Sequence, residues 1–441
     1  MDCEETTDIA IDTGRALQRQ YWAFYWPLAL NGIVMLLARH CQNGTLARYP
    51  DATRQLAVFA LAQSTFFLFA ASVGFLPQMA NVLARSRQAH KVCVRFVMTV
   101  ASVLSLPLMV LAFTGLGPLV LGWLYGIRGE SLTDVVEYLR YLTPLVFVGA
   151  LRNYLSGLLV QARRTGCVMV LNIILISSTI GILIAGYLLS WRVVQTLALA
   201  QVFSGLLHLV LSLVAYYLLY QFPDQPPAKP LAYRDVLAFF WPVSITSSMF
   251  SLSRPIIYFF VGRTALAEET TATLRVAFDC AMFFHLPINQ FRHVFLTFGK
   301  DNLREVRRFM VRVLLPLMLV MIVVNATPLA SLYLRHVLRI GSDILSMTLA
   351  ALWVLCLIPL AATLRNYYHG IAMLERRTRS MALGAVMRNV AIATAGFALY
   401  RAGILNHNAA AGCLVMGFVV EALTVFVCIR RRHSAGVVQG N

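Results

Sequence analysis

Long apolar stretches separated by short polar segments dominate this chain of 441 residues. The apolar stretches reach about 20 residues or more, which is the length that an α-helix needs to cross a bilayer. They are far longer than the alternating strands, about 10 residues long, of a membrane β-barrel. Because backbone polar groups cannot stay unpaired in lipid, we predict that the spans are helices. Twelve spans are predicted, near 22–40, 56–82, 96–124, 138–160, 167–189, 195–220, 236–262, 273–298, 309–333, 344–371, 380–400 and 405–429.

Two sequence phrases occur twice in the chain, about 215 residues apart. The first phrase is Ala23–Pro27 followed by Arg39, and it recurs as Ala238–Pro242 followed by Arg254. The second phrase is Leu151–Tyr154 followed by Gly157, and it recurs as Leu364–Tyr367 followed by Gly370. Internal repeats of this kind are typical of transporters, whose binding site lies between the related halves. We therefore predict an all-α polytopic membrane protein with two pseudo-symmetric lobes of six helices.

A proline-rich polar segment separates the two halves. Residues 221–234 contain four prolines, which predicts a semi-rigid linker. The predicted organisation is an N-terminal segment at 1–20, an N-lobe at 21–220, the linker at 221–234, a C-lobe at 235–430 and a tail at 431–441.

Basic residues are distributed unevenly between the two sides of the predicted spans. They concentrate in the N-terminal segment, in the loops after even-numbered spans and in the tail, and basic loops favour the cytoplasmic side. We predict that both termini are cytoplasmic, in a plasma membrane or a bacterial inner membrane. The first twenty residues carry five acids, so we expect no cleavable signal peptide.

The composition excludes several classes of function. Hydrophobic residues make up 59% of the chain, too many for an ordinary soluble protein of this length. The net charge of +18 follows from the loop bias, so we expect no nucleic-acid partner. The eight cysteines are scattered, which indicates neither a disulfide framework nor a metal site. We expect no cofactor, and the expected partners of a monomeric protein are a small anionic substrate and membrane lipid.

Charged residues inside the predicted spans are mostly arginines. Seven arginines are counted as lying within the spans, with Arg140 and Arg312 at the span ends counted as loop residues. They are Arg39, Arg152, Arg254, Arg275, Arg292, Arg365 and Arg388, and the opposing acids are Asp279 and Glu421. An arginine at the centre of a span costs on the order of 3 kcal/mol on insertion scales. Seven such residues against two acids predict a water-filled cavity that binds anions.

Two of these arginines lie deep in their spans. Arg152 precedes Arg163 by eleven residues, which at the rise of a helix places it about 16 Å below that loop. Asn153 follows Arg152 and Asn366 follows Arg365, and each amide can bind an anion oxygen or hold a neighbouring segment. We predict that these four residues bind substrate.

The eighth predicted span carries the densest set of polar residues. His285, Asn289 and Arg292 are spaced by four and three residues, so they would share one face of a helix that Pro287 weakens. This face is predicted to line the cavity, and its histidine also admits proton-linked gating.

Several of the charged residues also have a structural interpretation. Arg39 would reach the headgroups from the end of its span, Arg275 would pair with Asp279 one turn later, and Arg388 would pair with Glu421. The two acids are alternatively part of a site for a coupling ion. Arg39, Arg254 and Arg388 remain candidates for substrate binding.

Segments of the second half resemble the progressive ankylosis (ANK) family of the multidrug/oligosaccharidyl-lipid/polysaccharide (MOP) exporter superfamily. These segments are Phe240–Pro242 continuing through Ser253–Ile256 to Val261, His285–Pro287, Thr363–Arg365 with Gly370, and Gly417–Val419 before Glu421. The resemblance implies a MATE-like fold of two six-helix lobes and alternating access for organic anions that include pyrophosphate, ATP and citrate. Arg254, His285, Arg365 and Arg388 match polar positions of that family.

The leading hypothesis is an exporter of polyanions, in which arginines of both lobes bind phosphate or carboxylate oxygens. Its nearest rival is a flippase for lipid-linked pyrophosphoryl sugars, which would use a similar cationic lumen. A cation-drug exporter fits poorly because the first span has no carboxylate between Tyr21 and Arg39. An intramembrane enzyme that uses His285, or a scaffold, leaves the paired arginines unexplained, and we expect no enzymatic activity.

Overall fold

The computed structural model describes residues 2–221, 230–375 and 377–438, and helices account for nearly all of them. The first half contains α1 (Asp2–Leu46), α2 (Ala52–Ala70), α3 (Leu76–Leu83), α4 (Arg87–Phe113), α5 (Leu116–Tyr125), α6 (Gly129–Leu142), α7 (Leu145–Gln161), α8 (Thr165–Leu188) and α9 (Val193–Leu219). The second half contains α10 (Tyr233–Val261), α11 (Ala267–Asn289), α12 (Phe291–Ala326), α13 (Pro328–Leu332), α14 (Ser342–Leu355), α15 (Ile358–Leu374), α16 (Thr378–Arg401) and α17 (His407–Val438). A 3-10 turn at Ala71–Phe75 joins α2 to α3, and a π-helical turn at Tyr333–Val337 follows α13.

Each of the twelve predicted spans falls on a long helical segment, and ten of these segments in the described chain are long and apolar enough to cross a membrane. The other two segments are α1 and α11, which carry more polar residues. These two helices pack against each other, so their polar faces are shielded from lipid where the two lobes meet. Large apolar side chains on α4, α5, α9 and α12 are exposed, as expected of lipid-facing helices.

The duplication seen in the sequence is also a duplication of structure. The helix pair α7 and α8 has the same lengths as the pair α15 and α16, and the two pairs begin 213 residues apart. A glycine lies at the same place in each copy. A Cβ atom on Gly157 would lie 2.4 Å from the Pro77 carbonyl oxygen, and one on Gly370 would lie 2.5 Å from the Phe295 ring. In both lobes the absent side chain therefore allows close helix packing.

Polar contacts join the two lobes at the end of the molecule where α1 ends and α2 begins, which we call the sealed side. Arg48 donates to the Val337 carbonyl oxygen at 3.1 Å, and Ser131 donates to Glu268 at 3.1 Å. Thr53 donates to Asp343 across the same boundary. At the opposite end the aromatic ring of Phe96 packs against Tyr233 and Phe240.

The predicted third span is wrong in its extent. We expected one helix over 96–124, whereas α4 begins at Arg87, where the Ser86 hydroxyl accepts a hydrogen bond from the Ala89 amide at 3.1 Å. The helix ends at Phe113 because Thr114 is extended, and α5 follows as a separate short helix. A sharp turn between them brings Gly117 against the Leu111 carbonyl oxygen.

The predicted eighth span is also wrong in its extent, since it begins and ends later in the chain than α11 (Ala267–Asn289) does. We expected 273–298, but α11 ends at Asn289, and a turn at Gln290 leads into α12. Arg292 therefore lies on α12, and the prediction that it shares one helical face with His285 and Asn289 is wrong. The basic loop predicted after this span is helical as well, since α12 continues from Phe291 with a kink at Asn302.

The ends of the chain are more helical than the sequence indicated. Residues 2–20 of the predicted N-terminal segment continue directly into α1, and residues 431–438 of the predicted tail belong to α17. Residues 222–229 of the linker and residues 439–441 of the tail lie outside the described residues.

Candidate functional site

A cavity of about 260 Å³ lies between the two lobes and is the candidate substrate site. The N-lobe contributes α1 and α2 to its wall, and the C-lobe contributes α10, α11, α15, α16 and α17. The polar lining residues are Arg39, Ser64, Ser251, Ser253, Arg254, His285, Asn289 and Arg388, and the apolar ones are Phe67, Phe250, Phe278, Met282, Leu286, Ile358, Leu414 and Phe418. We call this space the central cavity.

Arg39 and Arg254, which are related by the repeat, both line the central cavity. The guanidinium of Arg39 lies 5.7 Å from the ring centre of Phe67, and that of Arg254 lies 5.5 Å from the ring centre of Phe278. Arg39 approaches Asp279 at 4.0 Å. Arg254 has no hydrogen bond or ion pair within the described part of the chain. The repeat thus brings one arginine from each lobe to the same space.

His285 supplies an unpartnered polar group to the cavity wall. Only 1% of the residue is exposed, and neither ring nitrogen has a hydrogen-bond partner within the described residues. Its ring packs against Phe418 at 5.4 Å. Buried polar atoms are nearly always hydrogen-bonded, so these two nitrogens are available to a ligand or to water.

Arg388 reaches the cavity as one partner of a buried ion pair. Its guanidinium donates to a Glu421 carboxylate oxygen at 2.6 Å, and its Nε donates to Ser253 at 3.1 Å. His369 also lies 3.3 Å from the Glu421 carboxylate. The structural interpretation of Arg388 therefore has direct support, and its remaining nitrogen, Nη2, has no partner among the described residues.

Arg365 lies in a layer directly behind the cavity wall. Its guanidinium is 5.7 Å and 5.2 Å from the ring centres of Phe250 and Phe418, both of which line the cavity. It donates to Asn289 at 3.3 Å and to Asn366 at 3.1 Å. Arg365 thereby fixes the Asn289 side chain at the cavity wall.

The two asparagines of the repeated phrase hold neighbouring backbone. Asn153 donates to the Val73 carbonyl oxygen at 3.0 Å, and Asn366 donates to the Ile288 carbonyl oxygen at 2.9 Å. Both acceptors lie where a long helical segment is interrupted, at the 3-10 turn after α2 and just before the end of α11. The structure therefore supports the role of these amides in holding a neighbouring segment, and not the role of binding an anion oxygen.

A polar network beside the central cavity connects α1 and α2 with α11. Asn43 donates to the Asp279 carboxylate at 2.8 Å, and Arg275 donates to Asn43 at 2.8 Å and to Gln63 at 3.1 Å. His40 contacts the Asp279 carbonyl oxygen at 3.1 Å. The expected pairing of Arg275 with Asp279 thus runs through an asparagine of the other lobe. Sequence reasoning missed His40 and Asn43, although these polar residues follow Arg39 by one and by four positions.

Three of the predicted site residues, Arg152, Asn153 and Arg292, lie away from the central cavity. Arg152 lines a separate cavity of about 400 Å³ within the N-lobe. Arg292 is half-buried on α12, where its Nε lies 3.5 Å from the Asn289 carbonyl oxygen. The prediction of one shared pocket for all of the arginines is therefore too simple.

The sequence profile of the progressive ankylosis protein (ANKH) family matches residues 15–305 of this chain. Solved structures of MATE transporters cover nearly all of the chain. An inward-facing multidrug resistance MATE transporter of the MOP superfamily matches with a TM-score of 0.70 at 17% identity, over 94% of this chain and 100% of that one. An outward-facing conformation of a multidrug resistance MATE transporter matches with a TM-score of 0.62 at 20% identity, over 93% of this chain and 94% of that one. The eukaryotic MATE transporter AtDTX14 matches at 0.68 and 13% identity, over 94% and 96%. The likeness shows that the fold is the two-lobed MATE fold.

Proposed function

This chain belongs to the progressive ankylosis protein (ANKH) family, and we propose that it exports organic or phosphate polyanions by alternating access through the central cavity. The observation that carries this proposal is that Arg39 from the N-lobe and Arg254 from the C-lobe line the same cavity. Both are half-buried, and a guanidinium in such a place gains most from an anionic ligand.

The charge of the cavity favours anions over cations. Its lining contains three arginines and no carboxylate. The two buried acids next to it are already engaged, Asp279 by Asn43 and Arg39 and Glu421 by Arg388. A cationic substrate would find no free carboxylate in this lining, whereas a polyanion would meet guanidinium groups and the ring nitrogens of His285.

The volume of the cavity favours a compact substrate. A space of 260 Å³ equals the volume of about nine water molecules at about 30 Å³ each. This suits an ion of the size of pyrophosphate or citrate in the present conformation.

Alternating access follows from the position of the arginines on different lobes. Without a ligand, Arg39 and Arg254 repel each other across the cavity, and a bound anion removes this repulsion. The anion therefore stabilises the arrangement in which the lobes are close together, which is the differential affinity that a conformational change needs.

The contacts of the sealed side support a direction of opening. Arg48, Thr53 and Ser131 join the lobes there, and the similarity score is higher to the inward-facing MATE structure than to the outward-facing one. With both termini in the cytoplasm, the sealed side would be the outer one. We infer a monomer in a plasma or inner membrane that takes its anion from the cytoplasm, with membrane lipid as its other partner.

Uptake and efflux by proteoliposomes that contain the purified protein test this function. We expect flux of pyrophosphate or citrate, and an Arg254→Gln variant should lose about tenfold or more in apparent affinity, since hydrogen bonds to a charged group contribute about 1.5–3 kcal/mol. Arg128→Gln makes the same chemical change at an exposed residue and should behave as the wild type. Equal flux in the two variants would refute the site.

The apolar half of the cavity lining favours the alternative function, a flippase for lipid-linked pyrophosphoryl sugars. Eight of the lining residues are apolar, and four of these are phenylalanines, which would contact a lipid chain or sugar. Binding of a polyprenyl pyrophosphate together with no binding of soluble pyrophosphate, ATP or citrate would establish the flippase and refute the soluble substrate.

A further inference from the structure

The N-lobe contains a second cavity, of about 400 Å³, that the proposed transport route does not use. We call it the N-lobe cavity. Its polar lining residues are Gln42, Arg152, Asn153, Thr179 and Gln201, and the remainder of the lining is apolar. Phe67 lines both this cavity and the central one, so the ring forms part of the wall between them.

The repeat shows what occupies the corresponding place in the C-lobe. Arg365 follows Arg152 by 213 positions, and it lies in the electrostatic field of Glu421, whose carboxylate also pairs with Arg388. The C-lobe therefore places one carboxylate among its buried arginines.

The corresponding residues of the N-lobe are different. Counting back the same 213 positions from Glu421 leads to His208, and counting back from Arg388 leads to Leu175. His208 lies on α9, which packs against α7 as α17 packs against α15, and this supports the correspondence. Leu175 lines the N-lobe cavity. The N-lobe has thus kept the arginine and replaced the ion pair beside it with a leucine and a histidine.

Arg152 is consequently left without a counter-charge. It has no hydrogen bond and no ion pair among the described residues, and the lining of the N-lobe cavity contains no carboxylate. Arg152 is half-buried, and a charge that is partly removed from bulk water without a partner is unfavourable. The arginine requires either water or an anion in the adjoining space.

Unpartnered polar atoms lie along α9, which contributes Gln201 and Gly205 to the lining of the same space. Within the described residues, Gln201 Nε2 and His208 Nε2 are buried nitrogens without hydrogen-bond partners, as is the hydroxyl of Ser204. These three residues are spaced by three and four positions on α9, so they lie on one helical face together with Gly205, which lines the cavity. Nitrogen and hydroxyl donors beside a guanidinium form the donor set that an oxyanion needs.

We propose that the N-lobe cavity binds a small oxyanion, a carboxylate or inorganic phosphate, which takes the place that the Glu421 carboxylate has in the C-lobe. The guanidinium of Arg152 binds two of its oxygens, and the Gln201 amide completes the shell. This site is distinct from the central cavity, and it does not depend on which anion the protein transports. Its occupant lies behind Phe67 and therefore supports the wall that Arg39 contacts.

Thermal unfolding of the purified protein in detergent, titrated with inorganic phosphate, with acetate and with chloride, tests this site. We expect phosphate or acetate to raise the unfolding temperature of the wild type. In Arg152→Gln the dissociation constant for phosphate or acetate should rise by about tenfold or more, because the charge-assisted hydrogen bonds to Arg152 are lost. A response to chloride alone would overturn the assignment to an oxyanion.

The variant His208→Glu provides a second test that does not depend on removing the arginine. It introduces in the N-lobe the carboxylate that the C-lobe already has. We expect a raised unfolding temperature without added anion and loss of the response to phosphate and acetate. A response equal to that of the wild type would overturn the proposal.

Variants of the central cavity separate this site from the transport site. In Arg254→Gln the response to phosphate or acetate should persist, whereas in Arg152→Gln it should be lost. The reverse pattern, with the response lost in Arg254→Gln and kept in Arg152→Gln, would refute the N-lobe site and leave the central one intact. Flux that fails while the N-lobe response remains would refute the transport function alone.

Discussion

Arg365 and Arg388 lie in the same aromatic layer of the C-lobe, and Arg388 pairs there with the carboxylate of Glu421. Both guanidinium groups are within 6 Å of the ring centres of Phe250 and Phe418. Two arginines beside the central cavity are thus accompanied by a single carboxylate. The stability of the layer should therefore depend on that acid.

We predict that Glu421→Gln destabilises the protein by about 3–5 kcal/mol, because removing one partner of a buried pair leaves the other charge uncompensated. Thermal or denaturant unfolding in detergent measures this loss. The double variant Glu421→Leu with Arg388→Met removes both charges and should retain more stability than the single one. A double variant that is less stable than Glu421→Gln would contradict this account of the layer.

At the level of single residues, the repeat in the sequence predicted which arginines correspond but not which cavity each one reaches. Arg39 and Arg254 could be paired because the same phrase precedes both. Arg152 could not be assigned to a separate cavity, since that depends on the space beside it, where Leu175 and His208 replace an ion pair. Such replacements become visible only when the helices of both lobes are placed in register.

Helices within each lobe pack closely where glycine removes a side chain. Gly157 on α7 lies against the backbone of Pro77, whereas Gly370 on α15 lies against the ring of Phe295. A backbone atom can move less than a side chain. An added methyl group should therefore be tolerated less well at Gly157 than at Gly370.

We predict that Gly157→Ala destabilises the protein by about 1–3 kcal/mol, the usual cost of overpacking a core, and that Gly370→Ala costs less. Gly181→Ala is the matched control because no atom lies within 4 Å of its added Cβ. In the middle of α8 this change should instead stabilise the helix by about 0.5–1 kcal/mol. Equal unfolding temperatures for the three variants would show that the packing argument is wrong.

The extents of the helices were predicted well where apolar runs end at polar loops, and poorly where a helix breaks inside an apolar run. The end of α11 shows the reason. The break falls at Gln290, three residues after Pro287, and the next helix begins at once, so hydropathy continues across it. Asn366 stabilises the break by donating to the Ile288 carbonyl oxygen, a contact made by a helix far away in the sequence.

For the whole molecule, the proposed transport cycle requires the sealed side to open. Thr53 and Asp343 lie on different lobes and are hydrogen-bonded there, whereas Glu137 and Arg192 form an ion pair at 3.2 Å within the N-lobe. A cross-link between positions 53 and 343 would hold the two lobes together at this end, whereas a cross-link between positions 137 and 192 would join only helices of the N-lobe.

In a background without the native cysteines, we predict that oxidised Thr53→Cys with Asp343→Cys loses anion flux and regains it on reduction. The pair Glu137→Cys with Arg192→Cys is the matched control and should transport when oxidised. Anion binding in detergent should persist in the cross-linked protein, because the central cavity is present in this conformation. Full flux through the oxidised inter-lobe pair would exclude opening of the sealed side as a step of transport.

The most direct test of the central claim is a double-mutant cycle on anion binding with Arg39→Gln, Arg254→Gln and the double variant. If arginines of both lobes bind one anion in the central cavity, each single change weakens the binding of pyrophosphate or citrate. The two losses in free energy should then depart from additivity by more than about 0.5 kcal/mol, as residues that share a partner do. Binding that is unchanged in both single variants, or losses that add within that limit, would contradict a shared site.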